Sequence, residues 1–132
     1  MIKSRLLSIA ALFMATSAAA QSQGLTCPAE LESAVTADGL PQSFKFRYVS
    51  FFDGDPSDRA ALAPDDGVNP QVLDQRWQFT RTHGRPIIMI CRYHGTEQTV
   101  RKEVPAGIKE CRLEGFVSET GEVVGSPQLQ CR

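Results

Sequence analysis

A chain of 132 residues is long enough to enclose one hydrophobic core and too short for two comfortable ones. Fourteen Lys and Arg against fifteen Asp and Glu give a formal charge of −1, which excludes a polycation built for nucleic acid or anionic lipid. No apolar run reaches the roughly 20 residues that a membrane-spanning helix needs.

The first twenty residues predict a secretory signal: Lys3 and Arg5 make a basic start, Leu6 to Met14 an apolar run, and Ser17-Ala18-Ala19-Ala20 a small-residue end. Cleavage after Ala20 would put Ala18 and Ala20 at the small-residue positions and leave residues 21–132 as one β-rich domain. That mature chain carries twelve basic against fifteen acidic residues, a charge of −3. Cys27 follows the polar Gln21-Ser22-Gln23 and Thr26 rather than the apolar run, so it does not suit a lipid anchor. The expected compartment is the periplasm, with the mature chain soluble.

Leu25 to Val35 fits an edge strand or one helical turn started by Pro28, and Asp38-Gly39-Leu40-Pro41 is a turn signal. Phe44, Phe46 and Tyr48 alternate with Lys45 and Arg47, the pattern of a half-buried strand with the aromatic side chains on one face. Phe51-Phe52 at its end cannot both face the core of a regular strand. Residues 52–69 are rich in Asp, Gly and Pro; the spacing predicts a short helix capped by Asp55, with Pro56 first, Asp58 in its first turn, and Pro64 after Arg59-Ala60-Ala61-Leu62-Ala63. Beyond Val72, turns recur about every ten residues. Trp77 and Phe79, then Ile87 to Tyr93, then Thr96 to Val104, then Ile108 to Val117 read as strands of a β-meander. The expected class is mainly β, a small antiparallel sheet or sandwich.

Four cysteines, Cys27, Cys91, Cys111 and Cys131, in a small exported chain indicate two disulfides, and their wide spacing is a poor fit to a metal site. Three pairings are open. A turn at Gly121 would bring Cys111 opposite Cys131, although Gly125-Ser126-Pro127 threatens the returning strand; Cys91 and Cys111 on the outer strands of a meander would lie about 9.5 Å apart, beyond disulfide reach. This favours Cys27–Cys91 with Cys111–Cys131.

Charge is segregated. Residues 51–74 hold Asp53, Asp55, Asp58, Asp65, Asp66 and Asp74 against Arg59, while 75–112 hold eight Lys and Arg against Glu97, Glu103 and Glu110, so the two segments are −5 and +5. The plain expectation is an acidic loop beside a basic sheet; the sharper one is an acidic prong for a cationic partner.

No catalytic signature accompanies these elements. His83 and His94 each precede a glycine in a predicted turn, and Ser57, Ser118 and Ser126 lack a Gly-x-Ser-x-Gly setting. Oxidised cysteines make no nucleophile. Read as a calcium loop from Asp53, the sixth residue is Asp58 instead of Gly and the twelfth is Pro64 instead of Glu. The chain is therefore expected to be no enzyme, with no cofactor and no metal. Trp77 is expected in the core, its indole nitrogen seeking one acceptor.

The segments Thr26-Cys27-Pro28, Phe51-Phe52-Asp53-Gly54, Trp77-Gln78-Phe79, Cys91-Arg92-Tyr93-His94-Gly95-Thr96 and Val104-Pro105-Ala106-Gly107, with a C-terminal cysteine, resemble a family of small, exported, uncharacterised proteobacterial proteins. The resemblance covers nearly all of the mature chain and transfers no catalytic residue. Some members lie near toxin-delivery loci, which implies a periplasmic immunity role. The function expected is that of a periplasmic binding protein of the inhibitor or immunity type, blocking a cationic cell-wall hydrolase or another envelope protein through Phe52, Asp53, Asp55 and Asp58. The alternative is an envelope accessory or ligand-binding protein that uses a basic sheet face with Arg76, Arg92 and Arg101.

Overall fold

The alternating segments form eight strands in a computed structural model that describes residues 24–33, 39–81 and 84–132. The signal region and His83 lie outside the described residues. The strands are β1 (Glu30–Ser33), β2 (Gln42–Asp53), β3 (Asp65–Asp66), β4 (Val72–Gln78), β5 (Ile87–Tyr93), β6 (Thr99–Glu103), β7 (Glu110–Val117) and β8 (Val123–Cys131). They make two antiparallel four-stranded sheets, ordered β1-β2-β5-β6 and β3-β4-β7-β8. The mainly β class with two disulfides is as expected. The neighbour order departs from a simple meander, because β4 pairs with β7 and β5 with β2.

One core lies between the sheets. Phe46, Val49, Phe51, Ile87, Met89, Cys91 and Tyr93 enter it from the first sheet and Trp77, Cys111 and Leu113 from the second. The Phe51 ring centroid lies 4.9 Å from Trp77 and 5.0 Å from Phe79, within the range of favourable aromatic pairing. Fully burying a side chain of the size of Phe51 or Met89 contributes about 2–3 kcal/mol each, and both are completely enclosed.

The N-terminal segment closes one side. Leu25 is buried in the core and Cys27 is bonded to Cys91; the Tyr93 hydroxyl donates to Pro28 O at 2.8 Å and Lys102 Nζ to Thr26 O at 2.8 Å. Cys111 stands directly opposite Cys131 and bonds to it. Their hairpin turns at Gly121, whose φ of 84° suits glycine. Gly125-Ser126-Pro127 does not end β8: these three residues face Gly115 alone, and the ladder resumes at Phe116↔Val124. A side chain at Gly115 would be tight there, since its Cβ would come within 3.3 Å of Pro127 Cβ and push that ring back by a few tenths of an ångström.

The aromatic face of β2 needs a correction. Register shifts between Phe46 and Tyr48, with Phe46 opposite Tyr93 and Tyr48 opposite Arg92, so Arg47 is an extra residue. A bulge reverses the facing of the residues beyond it. Phe46 stays in the core, Tyr48 is 38% exposed on the outer face, and Val49 and Phe51 take the inward positions.

Candidate functional site

β2 runs straight through Phe51-Phe52. Phe51 faces the core and Phe52 the outer side, opposite Ile88. The chain then reverses tightly. Asp53 N–H donates to Ala60 O at 3.0 Å, Gly54 N–H to Pro86 O at 2.8 Å, and Leu62 N–H to Phe51 O at 2.8 Å, with an antiparallel bridge between Phe52 and Ala61. Gly54 sits at φ 87°, where a Cβ would also lie 3.3 Å from Arg85 Cδ. Trp77, in the core as expected, donates its indole N–H to Leu62 O at 3.1 Å, fixing the far end of the reversal.

Within the reversal the helix is a single 3₁₀ turn, Pro56–Asp58, shorter than the run to Ala63 that the spacing predicts. Asp55 caps it through a 2.9 Å bond from Ser57 N–H, and Pro56 is its first residue. Arg59 ends it in the left-handed region at φ 58°. Ala60 to Leu62 leave the helical path because their backbone groups pair with β2, which satisfies more of the chain than a second helical turn on the surface would.

The acidic residues divide by partner. The hydrogen bond from the Ser57 backbone N–H, with a smaller contribution from Arg101, holds the Asp55 carboxyl below its ordinary value; its Oδ2 lies 3.9 Å from Arg101 Nη2 on β6. Asp74 belongs to β4 instead of the loop and is held by Arg112. Asp66 accepts a 3.4 Å bond from Gln75 Nε2. Asp53 is half-buried at the end of β2, whereas Asp58 and Asp65 are exposed and their carboxylates have no hydrogen-bond or ion-pair partner among the described residues. Phe52, Asp53, Asp55 and Asp58 thus lie along one pinned reversal at the rim of the first sheet, with Phe52 on its outer side and Asp53, opposite Ile87, on the other.

The basic residues do not share one face. Arg92 and Arg101 stand on the outer side of the first sheet, while Arg76 is on β4 of the second, 3.8 Å from Asp74. Arg47 and Tyr48, which simple alternation places on opposite faces of the strand, both stand on the first sheet's outer side. A signal for this existed: apolar residues fall at positions 44 and 46 and then at 49 and 51, a change of phase that only a bulge accommodates.

All four cysteines are in disulfides, His94 is exposed, and among the described residues no group of three His, Cys, Asp or Glu is placed to hold a metal ion. No described helix is long and apolar enough to cross a membrane.

A family model described as "Type VI secretion system Tli immunity protein" matches residues 41–132. A curated protein of Azospirillum brasilense, described as an uncharacterised 16.3 kDa protein in the trpG 5′ region, is 26% identical over 150 aligned positions, covering 96% of this chain and 97% of its own. No solved structure matches the chain significantly.

Proposed function

Because this chain belongs to the type VI secretion system Tli immunity protein family, we propose that it binds a partner effector protein and blocks that effector with the acidic reversal at Phe52–Asp58. An inhibitor of this kind needs no catalytic residue of its own; it needs a rigid element that fills or covers a working site. The signal-like first twenty residues support an encounter in the periplasm, where an effector meets peptidoglycan, membrane lipid and envelope proteins as substrates. A cell-wall hydrolase with a basic substrate cleft is the effector class we carry first, since it complements Asp53, Asp55 and Asp58 in sign.

The observation that carries the loop's role is its anchoring. Four backbone or indole hydrogen bonds and one bridge hold the reversal, so little conformational entropy remains to be lost on binding. Phe52 supplies a half-buried aromatic surface on the same reversal as the exposed Asp58, and an apolar anchor with a charged rim is the combination that concentrates binding energy in a few residues.

The test adds purified mature protein to the type VI effectors of the same strain in peptidoglycan-hydrolysis and phospholipid-hydrolysis assays. An Asp53→Ala/Asp55→Ala/Asp58→Ala variant is run beside it. Inhibition of one effector by the native chain, weakened about tenfold or more in the variant, supports the reading. Undiminished inhibition by the variant removes the loop from the mechanism, and a native chain that inhibits no effector removes the immunity role.

A further inference from the structure

We propose that the outer face of the β1-β2-β5-β6 sheet carries a second contact for the effector, in which the Arg47–Tyr48–Arg92 stack takes an acidic segment of that protein. This rests on the reading of the chain as an effector-binding immunity protein, and it assigns a place and a sign of charge that the acidic reversal does not supply.

The stack is built by the bulge in β2. Arg47 is the extra residue, and it and Tyr48 stand together opposite Arg92 on β5. The Arg47 guanidinium carbon lies 5.5 Å from the Tyr48 ring centroid and that of Arg92 5.7 Å, so one exposed ring carries two cations no more than about 11 Å apart. Contact with a ring uses the flat face of a guanidinium and leaves its N–H edge for a planar anion. Arg92 donates only its Nε–H, at 3.4 Å to Ser50 Oγ. The groove beside the stack, about 350 Å³, is lined further by Thr96, Glu97, Gln98 and Thr99, and Glu97 is in ion-pair contact with neither arginine.

Both guanidinium groups share the Tyr48 ring, and neither has a carboxylate partner among the described residues. The other cationic cluster, around Cys111–Cys131, is already neutralised in place: Arg76 and Arg112 face Asp74, Arg112 also faces Glu114, and Arg132 faces Glu110. Arg101, two positions along the same outer face, is engaged by Asp55. Two like charges held over one ring repel each other until an anion arrives.

The occupant we commit to is a carboxylate-bearing stretch of the effector. The groove is open, which suits a protein edge better than a small molecule, and small-molecule sites enclose most of their ligand. Two arginines on a chain of negative net charge fall short of the basic clusters that hold anionic membranes. Exposed Tyr and Arg are, in contrast, the residue types over-represented at protein interfaces. From Tyr48 to Phe52 is about 13 Å along β2, so the cationic stack and the acidic reversal lie within a single interface of ordinary size.

The test has two arms, both on the folded mature chain. In the first, hexaglutamate peptide is titrated into isotope-labelled protein and arginine Nε–H and backbone resonances are followed. Saturable shifts confined to Arg47, Tyr48, Arg92 and residues 96–99, absent in an Arg47→Glu/Arg92→Glu variant, are expected; shifts spread over every arginine, or persisting in the variant, overturn the proposal. In the second, the effector inhibited in the hydrolysis assays is titrated with native protein and with the variant. Charge reversal should weaken inhibition about tenfold or more at low salt, with a smaller gap at high salt. Native inhibition that the reversal leaves unchanged overturns this contact and spares the immunity reading; a native chain without inhibitory activity overturns that reading and the effector as occupant together. Should the reversal variant unfold, an Arg47→Gln/Arg92→Gln variant takes its place with the same expected direction. Binding of phosphatidylglycerol vesicles that depends on Arg47 and Arg92, with inhibition unaffected, would make a membrane the occupant and also overturn the proposal.

Discussion

Asp74 is the most heavily engaged carboxylate of the second sheet. Arg112 grips it with two bonds, Nε to Oδ1 at 2.9 Å and Nη2 to Oδ2 at 3.2 Å, and Arg76 lies 3.8 Å away. The Arg112 hydrogen bond, reinforced by the charges of Arg112 and Arg76, holds the Asp74 carboxyl below its ordinary value of 3.8. A carboxyl depressed by folding contributes stability that is fully present above its unfolded pKa and is lost as pH falls through the folded one. An Asp74→Asn variant should therefore melt below the native protein near neutral pH, with the gap closing as pH drops below 3.8. Melting temperature followed from pH 7 to pH 2 checks this, and a gap that persists at the acid end would assign the loss to packing. Tyr48 illustrates the limit of residue-level reading. Its aromatic identity and even spacing from Phe44 and Phe46 argue for burial, and the outcome was decided by the residue before it.

Among the elements, the turn between β6 and β7 depends on a side chain from outside it. Arg81 donates Nη1 to Ile108 O at 2.8 Å and Ala106 O at 3.1 Å, and Nη2 to Pro105 O at 2.7 Å and Val104 O at 3.4 Å. One guanidinium thus meets four carbonyls of Val104 to Ile108, of which Pro105 O also accepts the turn's own bond from Ile108 N–H at 3.0 Å. Arg81→Ala should cost about 2 kcal/mol, with amide-exchange protection lost first in residues 104–108; loss spread evenly over the sheet would refute the clamp. The disulfides offer a comparison at the same scale. Cys91 and Cys111 are equally buried, so loop length separates the two bonds. Closing a 64-residue separation is worth about 4 kcal/mol and a 20-residue one about 3 kcal/mol. Cys27→Ala/Cys91→Ala should accordingly destabilise more than Cys111→Ala/Cys131→Ala in urea titrations, and the reverse order would show that the β7–β8 bond acts by more than loop closure.

For the whole molecule, the sheets share a single core instead of holding one each, and the N-terminal segment is bonded across it. Unfolding should be one cooperative transition. Trp77, the sole tryptophan, reports the second sheet's side of the core, and far-ultraviolet circular dichroism reports both sheets. Thermal curves from the two signals should coincide, and a separate earlier phase in either would show that the sheets melt independently. Charge at this scale is likewise shared. The acidic and basic segments, −5 and +5 by sequence, meet at Asp55–Arg101, while Asp74 is absorbed into the second sheet.

Much of this was legible in the residues themselves because it depends on local covalent and periodic properties. Period-two alternation and regular turns dictate strands, four spaced cysteines dictate staples, and Asp55-Pro56 dictates a capped turn whatever surrounds it. The length of that turn was not legible, since Ala60 to Leu62 chose between helix and bridge according to free groups on β2. Strand order was not legible either, because pairing β4 with β7 depends on which faces close over the core, and sequence distance does not encode it. The candidate site divides in the same way. The acidic reversal is contiguous, so its members could be named from the chain alone. The Arg47–Tyr48–Arg92 stack joins two strands more than forty residues apart through a bulge, and only the packed sheet, by spending its inward positions on Phe46, Val49 and Phe51, decides that Tyr48 must stand outside between two arginines.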